Sequence, residues 1–190
     1  LNLLEAVRYV PSIRAVVVIT SDKCYENRDW VWGYRESDAM GGYDPYSSSK
    51  ACTELVVSAY RSSYFSVAVD GKYIPASIAT ARAGNVIGGG DWSRDRLLPD
   101  LFRAIQSGRS ICLRYPGAVR PWQHVLEPLT AYLRLAQALV EHGSTFAHAF
   151  NIGPNDSDCW TVSNVVTRAC EHWGADANWT QDAGQQPHEA

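Results

Sequence analysis

The sequence predicts an α/β fold built on a parallel sheet. Two observations carry this. Short β-branched runs alternate with segments of helical period, and polar clusters fall where those runs end. Open parallel sheets bind ligands beyond the carboxyl ends of their strands. Ser21-Asp22-Lys23 and the stretch Arg82 to Asn85 are therefore the first places to look for a site.

Taken in order, Leu1 to Tyr9 reads as an amphipathic helix fragment, stopped near Pro11. Ala15-Val16-Val17-Val18-Ile19-Thr20 is apolar without alternation, which suits a strand buried on both faces. Asn27 to Pro45 is a loop holding Trp30, Trp32, Tyr34 and a Gly41-Gly42 pair. A helix is predicted from Tyr46 to near Ser63, with Ala51, Leu55, Val56, Ala59 and Tyr60 as its apolar face. Ala76 to Ala81 is a second strand, running into a glycine-rich turn from Arg82 to Gly90. Further helices are predicted over Leu97–Ser107, Glu127–Glu141 and Val162–Trp173. The middle one would bury Leu129, Tyr132, Leu133, Leu135, Ala136 and Leu139. Ile111–Leu113 and Phe150–Gly153 read as short strands, and Arg120–Val125 as a loop or edge strand. The tail from Gly174 to Ala190 is polar and expected to be loose, and the tryptophans are expected to pack in the core or against loops.

Composition narrows the function classes. The chain has 190 residues, 46% hydrophobic and 19% charged, enough for a real core. A net charge of -3 gives no basic excess to draw nucleic acid or an anionic membrane, so an anionic ligand must be held by a few placed cations. Five cysteines, an odd number with no C-x-x-C, argue against a disulfide framework or a zinc ribbon and suit reduced thiols in a cytosol. No metal site is expected. No apolar run approaches the roughly 20 residues that span a bilayer. The start lacks an initiating Met and reads as the middle of a helix, so the chain is expected to be cut from something longer.

Tyr46 and Lys50 stand at i and i+4, one turn apart on one helix face. A free phenol, with a pKa of about 10, is a poor base at neutral pH, and a nearby cation favours its ionised form. Such a pair can take a proton from a hydroxyl while hydride leaves the carbon that bears it. The strand ending in Thr20-Ser21 supplies a hydroxyl to hold the same oxygen against the phenol. Arg120 is the best candidate to hold phosphate, because a guanidinium grips two oxygens at once.

Thr20-Ser21, Tyr46-x-x-x-Lys50, Arg82-Ala83-Gly84-Asn85-Val86-Ile87-Gly88 and Arg120-x-Trp122-x-His124-Val125 follow one another in an order that resembles the extended short-chain dehydrogenases/reductases, the NAD-dependent epimerase/dehydratase family. Gly42-Tyr43-Asp44-Pro45-Tyr46-Ser47, Gly84 to Trp92, Arg120 to Pro128 and Pro187-His188-Glu189-Ala190 are similar to its members that dehydrate CDP-glucose. The resemblance implies the C-terminal part of a Rossmann-type sheet plus a smaller mixed α/β substrate-binding region. Residues 1–84 would be part of the NAD-binding domain. Residues 85–190 would mainly bind the nucleotide sugar, with some segments returning to the first domain.

For individual residues the resemblance implies Tyr46, Lys50 and Ser21 in catalysis, Asp22 as an acid and Lys23 as the base at sugar C5. It implies NAD contacts from Tyr46, Lys50, Thr20 and Ala83. It places Asn85, Arg96 and Arg120 near the substrate phosphates, and makes His124 either a substrate contact or a satisfied structural histidine. The implied reaction converts CDP-glucose to CDP-4-dehydro-6-deoxyglucose, for O-antigen and lipopolysaccharide biosynthesis in the cytoplasm. Another nucleotide-sugar dehydratase, a 4-epimerase or a non-catalytic remnant stand as alternatives. A homodimer is implied, joined by the Tyr/Lys helix and the helix before the catalytic strand. No G-x-G-x-x-G follows a strand, since Gly88-Gly89-Gly90 runs into Asp91-Trp92. The Gly-rich N-terminal βαβ half is thus absent, and these residues alone are expected to be inactive.

Overall fold

In a computed structural model, residues 1–66, 76–174 and 177–184 are described. The Pro187–Ala190 string lies outside them. The described residues divide into two units, one within 1–84 and 126–152, the other within 85–125 and 153–184.

The first unit is a three-stranded parallel sheet with helices on both faces. Its strands are β1 (Ala15–Ile19), β2 (Ser77–Ala83) and β7 (Ala149–Ile152), in the order β1-β2-β7. Ala15 pairs with Ser77 and Ala83 with Ile152. Alternate residues face opposite sides. Val16, Val18 and Ile78 pack with Leu4 and Val7 of α1 (Asn2–Arg8) and Val57 of α2 (Pro45–Tyr60). Ala15, Val17, Ala79 and Ala81 pack with Leu135 and Leu139 of α4 (Leu126–His142). Small alanines on that side leave room for the helix. Both faces are covered, which explains a strand with no polar alternation.

Three expectations for this unit are corrected. β2 continues through Arg82 and Ala83, because both pair with β7, so the turn starts two residues later than predicted. The buried stripe of α2 is Ser47, Ala51, Glu54 and Val57, while Leu55 is exposed. On α4 the sheet covers Leu135 and Leu139 with Tyr132 partly buried, and leaves Leu129 and Leu133 outside. Both helices carry apolar residues around more of their circumference than one sheet face can cover.

The second unit holds short strands and two helices. β3 (Val86–Ile87) pairs with β6 (Gln123–His124), β4 (Ile111–Leu113) with β9 (Trp179–Gln181), and β5 (Val119–Pro121) with β8 (Cys159–Thr161). α3 (Leu97–Gln106) and α5 (Val162–Trp173) bury Leu101, Ile105, Val166 and Cys170 against Leu113. The described part of the tail is not loose, because β9 completes a ladder and Trp179 packs on this core. Trp32, Trp92, Trp160 and Trp173 are exposed, against the expectation of packing, and all five cysteines are free. No helix among the described residues is long and apolar enough to cross a membrane.

Candidate active site

The carboxyl end of β1 turns straight into a one-turn 3₁₀ helix over Asp22–Cys24. Ser21 makes that turn. Its backbone is extended, and its Oγ accepts from the Lys23 N–H at 3.2 Å while donating to Asp22 Oδ1 at 3.0 Å. Ser21, Asp22 and Lys23 are therefore gathered at one strand tip, with Ser21 itself buried.

α2 begins beside this tip. Asp44 caps it, accepting from Ser47 N–H at 3.0 Å and from Ser47 Oγ at 2.5 Å, and Pro45 occupies its first turn. These bonds from Ser47, and further off the Lys23 ammonium, hold the Asp44 carboxyl below its ordinary value. One turn on, Ala51 packs against Cys24 and Tyr25, which follow the strand tip. Tyr46 is 55% exposed, and the Lys50 ammonium lies 5.6 Å from the centre of its ring. The phenol and ammonium of α2 and the hydroxyl–acid–amine tip are brought to one end of one sheet.

Gly42 sets how closely the incoming loop meets this helix. A Cβ built there would overlap Ser47 Cβ and lie 3.0 Å from the Ser47 carbonyl carbon and the Ser48 nitrogen. Any larger residue must push the loop off the turn that carries Tyr46.

Thr20 turns its side chain into the protein interior. Its hydroxyl donates to Glu54 Oε1, and the residue is 6% exposed. Glu54 Oε2 accepts from Thr80 Oγ1 at 2.7 Å and from Arg82 Nη2 at 2.8 Å. Arg82 Nη1 donates to the Tyr25 hydroxyl at 2.6 Å and to Glu36 O at 3.1 Å, and Tyr25 donates to Asn151 Oδ1 at 2.6 Å. Burial alone would raise the Glu54 carboxyl, but bonds from Arg82, Thr20 and Thr80 outweigh it and hold it below its ordinary value. Burial likewise opposes the Arg82 charge, yet its bonds to Glu54 and Tyr25 keep it above the ordinary guanidinium value. Cys24, fully buried beside this network, is pushed up to about 11 by burial, so its thiol is no nucleophile at neutral pH. Sequence reasoning missed Glu54. The signal was a carboxylate at i+4 from Lys50, in phase with Ser47 and Ala51.

Ala83 ends β2 and is buried. The remaining predicted residues belong to the second unit. Asn85 is half-buried, and its carbonyl accepts from Gln123 N–H at 3.0 Å. Arg120 is half-buried on β5, opposite Trp160 of β8, and Trp122 Nε1 donates to Trp160 O at 3.0 Å. His124 is exposed on β6, opposite Ile87. Arg96 is exposed at the start of α3 and makes no side-chain cap there. Gly88 approaches Val125 so closely that a Cβ would meet its Cγ1 at 2.7 Å, which makes the Gly88 turn part of the β3–β6 pairing.

The sequence profile of the NAD dependent epimerase/dehydratase family matches residues 1–153. The chain belongs to this family. It is 52% identical over 189 residues to the CDP-glucose 4,6-dehydratase of Salmonella typhimurium, covering 100% of this chain and 52% of that protein. It is 25% identical over 177 residues to a trifunctional UDP-glucose 4,6-dehydratase of Arabidopsis thaliana, covering 92% of this chain and 24% of that one. Among solved structures, the dTDP-glucose 4,6-dehydratase of Bacillus anthracis, in complex with NAD, superposes with a TM-score of 0.73 at 24% identity, covering 96% of this chain and 54% of that chain. A UDP-glucuronic acid 4-epimerase of Bacillus cereus gives 0.74 at 15% identity, over 95% and 52% of the two chains. At these identities the structures speak for the shared fold. The epimerase/dehydratase chain described here spans about half the length of that Salmonella relative and of these structures.

Proposed function

We propose that this chain is the catalytic part of an NAD-dependent CDP-glucose 4,6-dehydratase, a hydro-lyase. The observation that carries the reading is the Ser21-Asp22-Lys23 tip beside the cap of the helix bearing Tyr46 and Lys50. The choice of CDP-glucose is supported by the identity to the Salmonella enzyme.

The residues fit the nicotinamide end of NAD. An exposed phenol and a half-buried ammonium stand on a helix that starts beside the carboxyl end of a parallel strand. Lys50 and Tyr46 would hold that end, with the backbone at Thr20 and Ala83 behind it. NAD would supply a reversible hydride acceptor, taking hydride from sugar C4 and giving it back at C6 once water has left, so that it ends as it began. Its pyrophosphate finds no glycine fingerprint in these 190 residues.

The protein groups divide the proton work. Tyr46 takes the proton of the sugar C4 hydroxyl, and Ser21 orients that oxygen. The resulting ketone acidifies the proton at C5. Lys23 removes it, Asp22 gives a proton to the C6 hydroxyl, which leaves as water, and Lys23 then returns a proton to C5. The proton leaves C5 while the hydroxyl oxygen on the adjacent C6 gains one, and a base and an acid at one strand tip divide these two transfers. Asn85, Arg96 and Arg120 are assigned to the nucleotide diphosphate and His124 to the substrate. We assign the reaction to cytoplasmic deoxysugar and O-antigen biosynthesis. Apolar side chains left outside on α1 (Leu3) and α2 (Leu55) support a homodimer through these helices.

A proton NMR time course of the full-length protein with CDP-glucose in deuterated water tests the reading. The expected product carries a C6 methyl and deuterium at C5, and Tyr46→Phe slows its formation at least about 100-fold. Formation of the galactose isomer, or binding without turnover, overturns it.

A further inference from the structure

Glu54 is a carboxylate in the buried stripe of the catalytic helix, where the sheet-facing position would normally be apolar. It and Arg82 have side chains 2% exposed each. A buried ion pair is weak evidence for stability, since well-packed apolar residues often serve as well or better. What such a pair adds is direction. Here the directions are specific: every segment that carries a proposed catalytic or cofactor residue sends a neighbour of that residue into one connected network.

Thr20, which bonds Glu54, immediately precedes Ser21. Glu54 itself lies one helical turn beyond Lys50. Arg82, which bonds Glu54 at 2.8 Å, immediately precedes Ala83. Tyr25, which bonds Arg82 at 2.6 Å, follows the Asp22–Cys24 turn. The loop that leads into Tyr46 is held by Arg82 through Glu36 O at 3.1 Å. Asn151 of β7 ties the same loop, donating to Tyr34 O and Glu36 Oε1 at 2.8 Å each. Both Glu54 oxygens are used, and three of the five guanidinium hydrogens of Arg82 are spent, so neither end can rotate without breaking bonds.

We propose that the Glu54–Arg82 pair is a positioning device that sets the catalytic helix in register against the tip of β1, holding Tyr46 and Lys50 at the working distance from Ser21. The claim rests on the dehydratase reading for its assay. A displacement of 1 Å between reacting groups can cost about 100-fold in rate. A network linking α2, β1, β2 and β7 through bonds of fixed geometry is suited to preventing it.

The test separates position from stability in the full-length protein. Glu54→Gln leaves the Arg82 charge buried without its counter-charge, and is expected to lose both stability and turnover. The double variant Glu54→Met/Arg82→Met removes both charges and fills the space. It is expected to melt near the wild type, yet to keep kcat at least tenfold down with KM within threefold. Its deuterium isotope effect with substrate labelled at C4 should rise. Recovery of kcat to within twofold of wild type alongside recovered stability overturns the proposal. Should the double variant fail to fold, Thr80→Val, which removes one bond to Glu54 and neither charge, gives the same split: a several-fold loss in kcat at unchanged KM supports the proposal and unchanged kcat overturns it. A wild type that turns over no CDP-glucose defeats the substrate reading alone. The positioning claim is then decided by crystal structures of wild type and a folded variant of this set. A shift of the Tyr46 hydroxyl relative to Ser21 of at least about 0.5 Å keeps it, and a smaller one ends it.

Discussion

Gly42 shows how a single residue without chemistry can govern the site. Its Cα lies against the first turn of α2, where a methyl group would overlap Ser47 Cβ and press on the backbone beside it. Rigid backbone cannot yield as a flexible side chain can, so the helix start itself must move. Gly42→Ala is expected to cost about 1–3 kcal/mol of stability, the usual range for overpacking. It should also lower kcat by more than the unfolded fraction explains, because Tyr46 sits in that first turn. Gly89→Ala is the control, since nothing lies within 4 Å of a Cβ there. Thermal melts and initial rates on the two variants check this, and equal behaviour of both would refute it.

At the scale of elements, α2 is fastened at its start and in its middle by carboxylates of different kinds. Asp44 caps its exposed start, and Glu54 anchors its middle to two strands. The second anchor has a pH signature. Unfolded, a glutamate titrates near 4.5; folded, Glu54 lies lower. The folded state therefore binds fewer protons in that range, and the stabilisation is present above about 4.5 and lost as the pH falls through the lowered value. Urea midpoints measured from pH 6 to pH 3 are expected to drop more steeply for wild type than for Glu54→Met/Arg82→Met. Parallel curves would show that the pair does not carry this acid sensitivity.

For the whole molecule, the relevant fact is that β1 has a strand neighbour on one side only among the described residues, with Ile19 at its end 42% exposed. The proposed catalytic residues stand at and beside the carboxyl end of β1, and the chain carries no glycine fingerprint for a dinucleotide pyrophosphate. The isolated 190 residues are therefore expected to bind NAD more weakly than about 1 mM, a binding free energy no stronger than about -4 kcal/mol. Calorimetric titration of the isolated chain measures this directly. Micromolar binding, or measurable turnover by the isolated chain, would contradict it.

The parallel sheet, its covering helices and the Tyr46/Lys50 and Ser21-Asp22-Lys23 clusters were all readable along the chain. Each is written in local spacing: β-branched runs, an i to i+4 pair, consecutive residues at a strand end. α5 and β4 span the residues expected of them. The Glu54 network was not readable, because its members are brought together from positions 20, 25, 36, 54, 80, 82 and 151. Nor was the strand at Trp179–Gln181, whose ladder partner is Ile111–Leu113. A helix periodicity tells which residues share a face but not which face meets the sheet, so Leu55, Leu129 and Leu133 looked like core. Local spacing specifies chemistry that a short segment can hold by itself. Which polar groups must satisfy one another in the dry interior is decided only when distant segments meet, since the cost of an unpaired buried charge arises only there.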